Sequence, residues 1–159
     1  CTTLDDFFQS GTRINIIKMD VQGAEGAAFR GMRRVLADNP SIVIIWELSP
    51  SQLRSAGDDA AAVLQWLVDA GFDLSLIDDA SDAVTRGTVE EILQQCPDDS
   101  YMNILGRGRE DGREREMLGG RGGEQEEPGD VRSALEIGKY QERNDIRRRV
   151  DKRSDQRPE

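Results

Sequence analysis

The 159-residue chain contains no histidine, which removes every mechanism that needs an imidazole base and most zinc sites. It has two cysteines, Cys1 and Cys96, and neither sits in a CxxC pair. Two free thiols are the plain reading, in keeping with a reducing compartment and a cytoplasmic location. A single bridge between the two distant positions is the alternative. Aromatics make up only 5 % of the chain and proline occurs five times. The longest uninterrupted apolar run, Ile42–Trp46, falls far short of the ~20 residues that a membrane helix needs. No signal peptide is visible, so neither a membrane nor a secretory route is expected.

Charge and apolar content divide the chain. Residues 1–106 hold 7 Lys/Arg against 17 Asp/Glu, so the whole net charge of −10 belongs to them. Residues 107–159 hold 14 of each sign. An acidic domain repels phosphate backbones, which argues against nucleic acid as a ligand. The overall hydrophobic share of 36 % is low, and the shortfall lies after residue 106. Residues 1–106 are therefore read as one α/β domain with a modest core. Residues 107–159, rich in glycine and mixed charge, are read as a mostly disordered tail. Within it Leu135, Tyr140 and Ile146 allow at most a partial helix over 131–150.

Along the first part, apolar periods alternate between helix and strand. Thr2 or Thr3 can cap a helix over 4–9, with Asp5 and Asp6 in its first turn. An Ile-rich strand spans 14–21. A helix over 24–37 carries its apolar stripe on Ala28, Phe29, Met32, Val35 and Leu36, and Asp38-Asn39-Pro40 stops it. The strand over 42–48 is apolar on both faces until Glu47, and Ser49-Pro50 ends it. A helix over 58–70, a strand over 72–77, a polar loop over 78–82, a helix over 88–95 and a strand over 101–105 follow. This alternation predicts an α/β sheet of four strands, the first two parallel and covered on both faces. One of those two then needs a neighbour from outside the chain.

In such a sheet ligands sit at the carboxyl ends of the strands. Asp20 and Glu47 close the first two strands, so a right-handed crossover sets them about one strand spacing (~5 Å) apart on one rim. Two carboxylates there can orient a hydroxyl or accept its proton, and each also fits a plainer role as a helix cap or a solvated end. Lys18 has the parity of Asp20, for an ion pair or a ligand contact. Gln22 and Gly23 form the turn, and Glu25 opens the next helix, where exposed N–H groups favour an acid in any case. Trp46 and Trp66 read as core. A single glycine is no phosphate loop, and no GxGxxG or GxxxxGK[ST] occurs. Asp78–Asp82 lacks the glycine and closing Glu of a calcium loop.

The run Lys18-Met19-Asp20-Val21-Gln22-Gly23-Ala24-Glu25, followed by Phe29-Arg30-Gly31-Met32 and a strand ending in Glu47, resembles the FkbM-type methyltransferase family. Thr3-Leu4-Asp5-Asp6-Phe7, Ala70-Gly71-Phe72 and Tyr101-Met102-Asn103-Ile104-Leu105 resemble further segments of it, so the likeness spans 2–106. Many relatives carry Glu where Gln22 stands. The resemblance implies a Rossmann-like class I methyltransferase fold, here truncated to the fourth to seventh of its seven strands. It implies S-adenosylmethionine as cofactor, with the glycine-rich loop and ribose-binding acid that hold it lying upstream. It implies O-methyl transfer to a small hydroxyl acceptor such as a sugar or polyketide. Asp20 and Glu47 are then the catalytic candidates, and Lys18, Gln22 and Glu25 the substrate-binding ones. The competing expectation is a non-catalytic α/β remnant or interaction module with a charged tail.

Overall fold

The computed structural model describes residues 1–78, 80–81 and 83–109, and the tail readings over 110–159 lie outside them. The elements run α1 (Leu4–Phe7), β1 (Ile16–Met19), α2 (Glu25–Arg30), α3 (Arg33–Asp38), β2 (Val43–Leu48), α4 (Pro50–Ser55), α5 (Ala60–Asp69), β3 (Phe72–Asp78), β4 (Ala83–Arg86), α6 (Val89–Gln95) and β5 (Met102–Gly108). They form a mixed α/β structure on a five-stranded sheet in the order β1-β2-β5-β3-β4. β1 and β2 are parallel, as the crossover pattern predicted. β5 inserts antiparallel between β2 and β3, and β4 pairs antiparallel with β3.

Beyond shifts of a few residues at element ends, one helix is split and one is added relative to the sequence reading, each for a physical reason. The single helix over 24–37 is two, broken at Gly31 and Met32. The break is imposed by α1. The Asp5 N–H donates to the Gly31 carbonyl at 3.0 Å, and the Asp5 carboxylate accepts from the N–H groups of Arg34 and Val35 at 3.0 and 2.9 Å. A tertiary cap thus starts α3 where its own sequence offers none. Pro50 does not merely end β2. It opens α4, as a residue with no N–H and a helical φ is suited to do.

Two strands differ as well. β4, four exposed residues in the stretch between loop and helix, makes the fifth strand. β1 was expected to be covered on both faces, yet Ile16 and Lys18 are exposed. Among the described residues β1 pairs only with β2, so its outer edge is open. By contrast β2 is buried almost throughout. α6 begins with a full capping box: Thr88 accepts from the Glu91 N–H, and Glu91 accepts from the Thr88 N–H at 2.8 Å.

One apolar cluster joins residues of the helices to alternate strand positions. It includes Phe29, Val35, Leu36, Leu53, Leu64, Leu67 and Ile92 with Met19, Ile44, Trp46, Leu48, Leu74 and Ile104. The helices therefore gather on one face of the sheet. Trp46 is its centre, with Phe29 edge-on at 5.4 Å and 84°. Trp66 is half-buried beside Phe29, and the Arg33 guanidinium lies 5.5 Å from its ring centre. Val43, Ile45, Ile77 and Leu105 are buried on the other parity. No helix of the described residues is long and apolar enough to cross a membrane.

Removing the ring that bridges α2 to β2 should cost as much as any core truncation. Phe29→Ala is expected to lower the unfolding free energy by about 3–5 kcal/mol. Urea denaturation at neutral pH measures it.

Candidate functional site

The register of β1 against β2 ends on Met19 beside Trp46, so the next residues, Asp20 and Glu47, are neighbours at the carboxyl rim. Met19, Trp46, Ile44 and Leu48 point into the helix-side core. By strand alternation Lys18, Asp20, Ile45 and Glu47 share the opposite face. Asp20 and Lys18 are exposed and Glu47 is half-buried. The structure thus brings Lys18, Asp20 and Glu47 to one corner.

β5 adds residues that sequence order did not reveal. Its antiparallel register sets Asn103 opposite Glu47 and Met102 opposite Leu48. Ile104 belongs to the helix-side core, so Asn103 lies on the face of Glu47. Neither Glu47 nor Asn103 is without a partner. The polar Asn103 set between apolar Met102 and Ile104 was the available signal. It becomes informative only once this strand is known to lie next to β2.

Gln22 and Gly23 make the turn that leaves the rim, closed by the Ala24 N–H donating to the Val21 carbonyl at 3.3 Å. Both central residues are left-handed, with φ of 49° at Gln22 and 99° at Gly23. That conformation costs a side-chain-bearing residue roughly 1–2 kcal/mol. At Gly23 a Cβ would also lie 2.7 Å from the Gln52 carbonyl oxygen. The turn is therefore seated directly on α4, and Gln22 is left exposed at its tip.

Glu25 turns inward. It is 2 % exposed, and its Oε1 accepts from the Gly23 N–H at 3.1 Å. Among the described residues its Oε2 has no hydrogen-bond partner, nor does the buried Trp46 indole N–H. Leaving a buried carboxylate oxygen unsatisfied is costly. Next along α2, a Cβ on Gly26 would fall 2.3 Å from the Asp58 carboxylate. That carboxylate grips Arg30 through two bonds of 2.6 and 3.1 Å. These bonds hold the Asp58 carboxyl below its ordinary value of 3.8, against the opposing pull of desolvation. The start of α2 is thus pinned from two sides, by Gln52 and by Asp58.

A cavity of about 1090 Å³ lies at the opposite end of β3, lined by Phe72, Asp73, Arg86, Val89 and Arg109 among others. None of the five sequence-predicted site residues borders it. Among the described residues no group of three His, Cys, Asp or Glu side chains converges for a metal.

Comparison with known families bears on this corner. The family described as Methyltransferase FkbM domain matches residues 1–74. Those residues form the N-terminal part of the chain and include α1, β1, the turn, α2, α3, β2 and the start of β3. They carry an FkbM methyltransferase segment, and the resemblance read from Lys18–Glu25 is shown by the match. The matched stretch ends before α6 and β5. No curated protein and no solved structure matches the chain.

Two outcomes follow from the pinned turn. Gly23→Ala, strained in φ and in contact with Gln52, should destabilise the fold by about 1–3 kcal/mol, read by thermal or urea unfolding. Asp58 stabilises the fold above its unfolded-state pKa, because its folded value is depressed. That contribution is lost as pH falls below about 4 through the folded value. Acid unfolding followed from about pH 6 to 2 should show wild type losing more stability than Asp58→Asn over that range.

Proposed function

We propose that this chain is the acceptor-side portion of an S-adenosylmethionine-dependent methyltransferase that transfers a methyl group to a hydroxyl oxygen. The observation that carries the reading is the juxtaposition of Asp20 and Glu47 on one face of the rim, inside the segment matched to the FkbM methyltransferase domain. In this reading the sheet is the later part of a Rossmann-like class I fold. The open outer edge of β1 is where earlier strands would pair.

The described residues do not by themselves form a seat for S-adenosylmethionine. The turn after β1 is a closed two-residue turn with Gln52 pressed against Gly23, so no concave loop of backbone N–H groups is left there. The chain's own contribution is thus to the acceptor. Asp20, exposed at the rim, accepts the hydroxyl's hydrogen bond and takes its proton as the oxygen becomes nucleophilic. Glu47 holds a neighbouring group of the acceptor, and proximity supplies much of the rate. Lys18 on the same face balances the two acids. Gln22 reaches out from the turn. Glu25 fixes that turn with one oxygen and offers the other to a donor. The partner is a small hydroxyl compound in the cytoplasm, with neither nucleic acid nor a membrane involved.

A non-catalytic module is the second reading, favoured by the missing donor seat. The two separate in experiment. Joined to the upstream half of its domain, the chain should transfer methyl groups, and Asp20→Asn should lower turnover by about 10²-fold or more with little change in melting temperature. Turnover unchanged by Asp20→Asn removes Asp20 from the site, and no transfer to any hydroxyl favours the module. The chain alone should bind S-adenosylmethionine no tighter than about millimolar by calorimetry, and micromolar binding overturns the partial-domain reading.

A further inference from the structure

The cavity at the far end of β3 collects charge from three neighbouring strands. In the order β5-β3-β4, Arg109 follows the last residue of β5, Asp73 is the second residue of β3, and Arg86 closes β4. All three border the cavity. Asp73 thus has an arginine from either side. Both reach the same oxygen, Oδ1, and Arg109 does so through Nε at 3.3 Å. Arg107, opposite Asp73 in the β3–β5 register, adds a further cation nearby. One carboxylate therefore faces an excess of guanidinium, in a part of the chain whose net charge is strongly negative.

The two arginines at the cavity are anchored through the backbone. The Arg109 N–H and Nε both donate to the Gly71 carbonyl, at 3.0 and 3.3 Å. The N–H of Gly87, next to Arg86, donates to the Leu74 carbonyl at 3.1 Å. Among the described residues the terminal nitrogens of Arg109 make no hydrogen bond, and Arg86 uses only one of its own. Donors on both guanidiniums therefore stay open to a ligand.

Much of the remaining wall is apolar. Phe72 and Leu74 are buried, and Val68 of α5 and Val89 and Leu93 of α6 are partly buried against the core. Two acids also border the cavity, and both are engaged at α6. Glu91 accepts from the Thr88 N–H and hydroxyl at 2.8 and 3.0 Å, and Glu90 accepts from the Gln94 amide at 3.3 Å.

This lining selects a ligand with two unlike ends. A simple anion would leave the valines and Leu93 in water, and a hydrocarbon would leave the guanidinium donors unused. A carboxylate on an apolar body matches both, since its two oxygens suit the guanidinium fork. A phosphate monoester brings nearly twice the charge toward Glu90 and Glu91, which disfavours it. About 1090 Å³ is ample for a molecule of drug or lipid size.

We propose that this cavity binds an organic monocarboxylate, its head between Arg86 and Arg109 and its apolar body against Val68, Val89 and Leu93. The site lies at the opposite end of the sheet from Asp20 and Glu47, and it stands whether or not the rim transfers methyl groups.

The test is calorimetric titration of the full chain with decanoate below its micelle-forming concentration. Decanol supplies the same body without the charge, acetate the head without the body, and decyl phosphate the heavier charge. The expected result is saturable decanoate binding tighter than about 1 mM, with each of the other three at least about tenfold weaker. Arg86→Gln and Arg109→Gln should each weaken decanoate by about five- to tenfold. Arg54→Gln, which removes an exposed arginine paired with Asp98 elsewhere, should leave it unchanged. Both cavity arginines are at least half exposed, so their replacement spares the fold, which circular dichroism checks. No saturable binding of decanoate, equal binding of decanol, or undiminished binding in both cavity variants overturns the proposal. An equal loss in Arg54→Gln does so too, because the attraction is then general charge. Tighter binding of decyl phosphate overturns the choice of a carboxylate head.

Discussion

The parallel pairing of β1 with β2 is the constraint on which the candidate site depends. A slip of one residue would send Asp20 to the opposite face from Glu47. The register is fixed from outside the strands. The buried Asn39 side chain accepts from the Ile14 N–H at 2.8 Å and donates to the carbonyls of Thr12 and Val35 at 3.0 and 2.9 Å. The Val43 N–H then donates to the Asn15 carbonyl at 2.9 Å, which starts the ladder. One side chain thus ties the entry of β1, the end of α3 and the approach to β2 into one alignment.

The other side of the corner is built by close approach rather than by large contacts. Gly23 and Gly26 are both positions where a Cβ would collide, with the Gln52 backbone in one case and the Asp58 carboxylate in the other. The chain from 50 to 58 is thereby pressed onto the start of α2. Glu25 is buried between these two contacts, one of its oxygens without a partner among the described residues. Its other oxygen accepts from the Gly23 N–H at 3.1 Å, so the same side chain holds the turn against the start of α2.

How much of this was legible in sequence follows from which forces are local. The apolar run to Leu48, the helices over 58–70 and 88–95 and the turn at Gly23 are local, and each appears, to within a residue or two at its ends, where the residues predicted it. The parallel order of the first two strands follows from the length of their connection. What failed was tertiary. The split of the helix over 24–37 needs Asp5, nearly thirty residues away. β4 is short and exposed, with no periodic signal to find. The place of β5 between β2 and β3 is a matter of topology, so the position of Asn103 opposite Glu47 could not be read from its neighbours in the chain. The placement of Asp20, Glu47 and Lys18 at one rim was legible because it follows from the parallel pair alone.

Among the described residues no strand lies beside the outer side of β1. A row of free backbone donors and acceptors is an invitation to any other extended chain, including another copy of this one. β1 is only four residues long and carries Lys18 in its middle, and both features blunt that tendency. Lys18 would then serve as a gatekeeper, its charge discouraging an extended segment from docking along this edge.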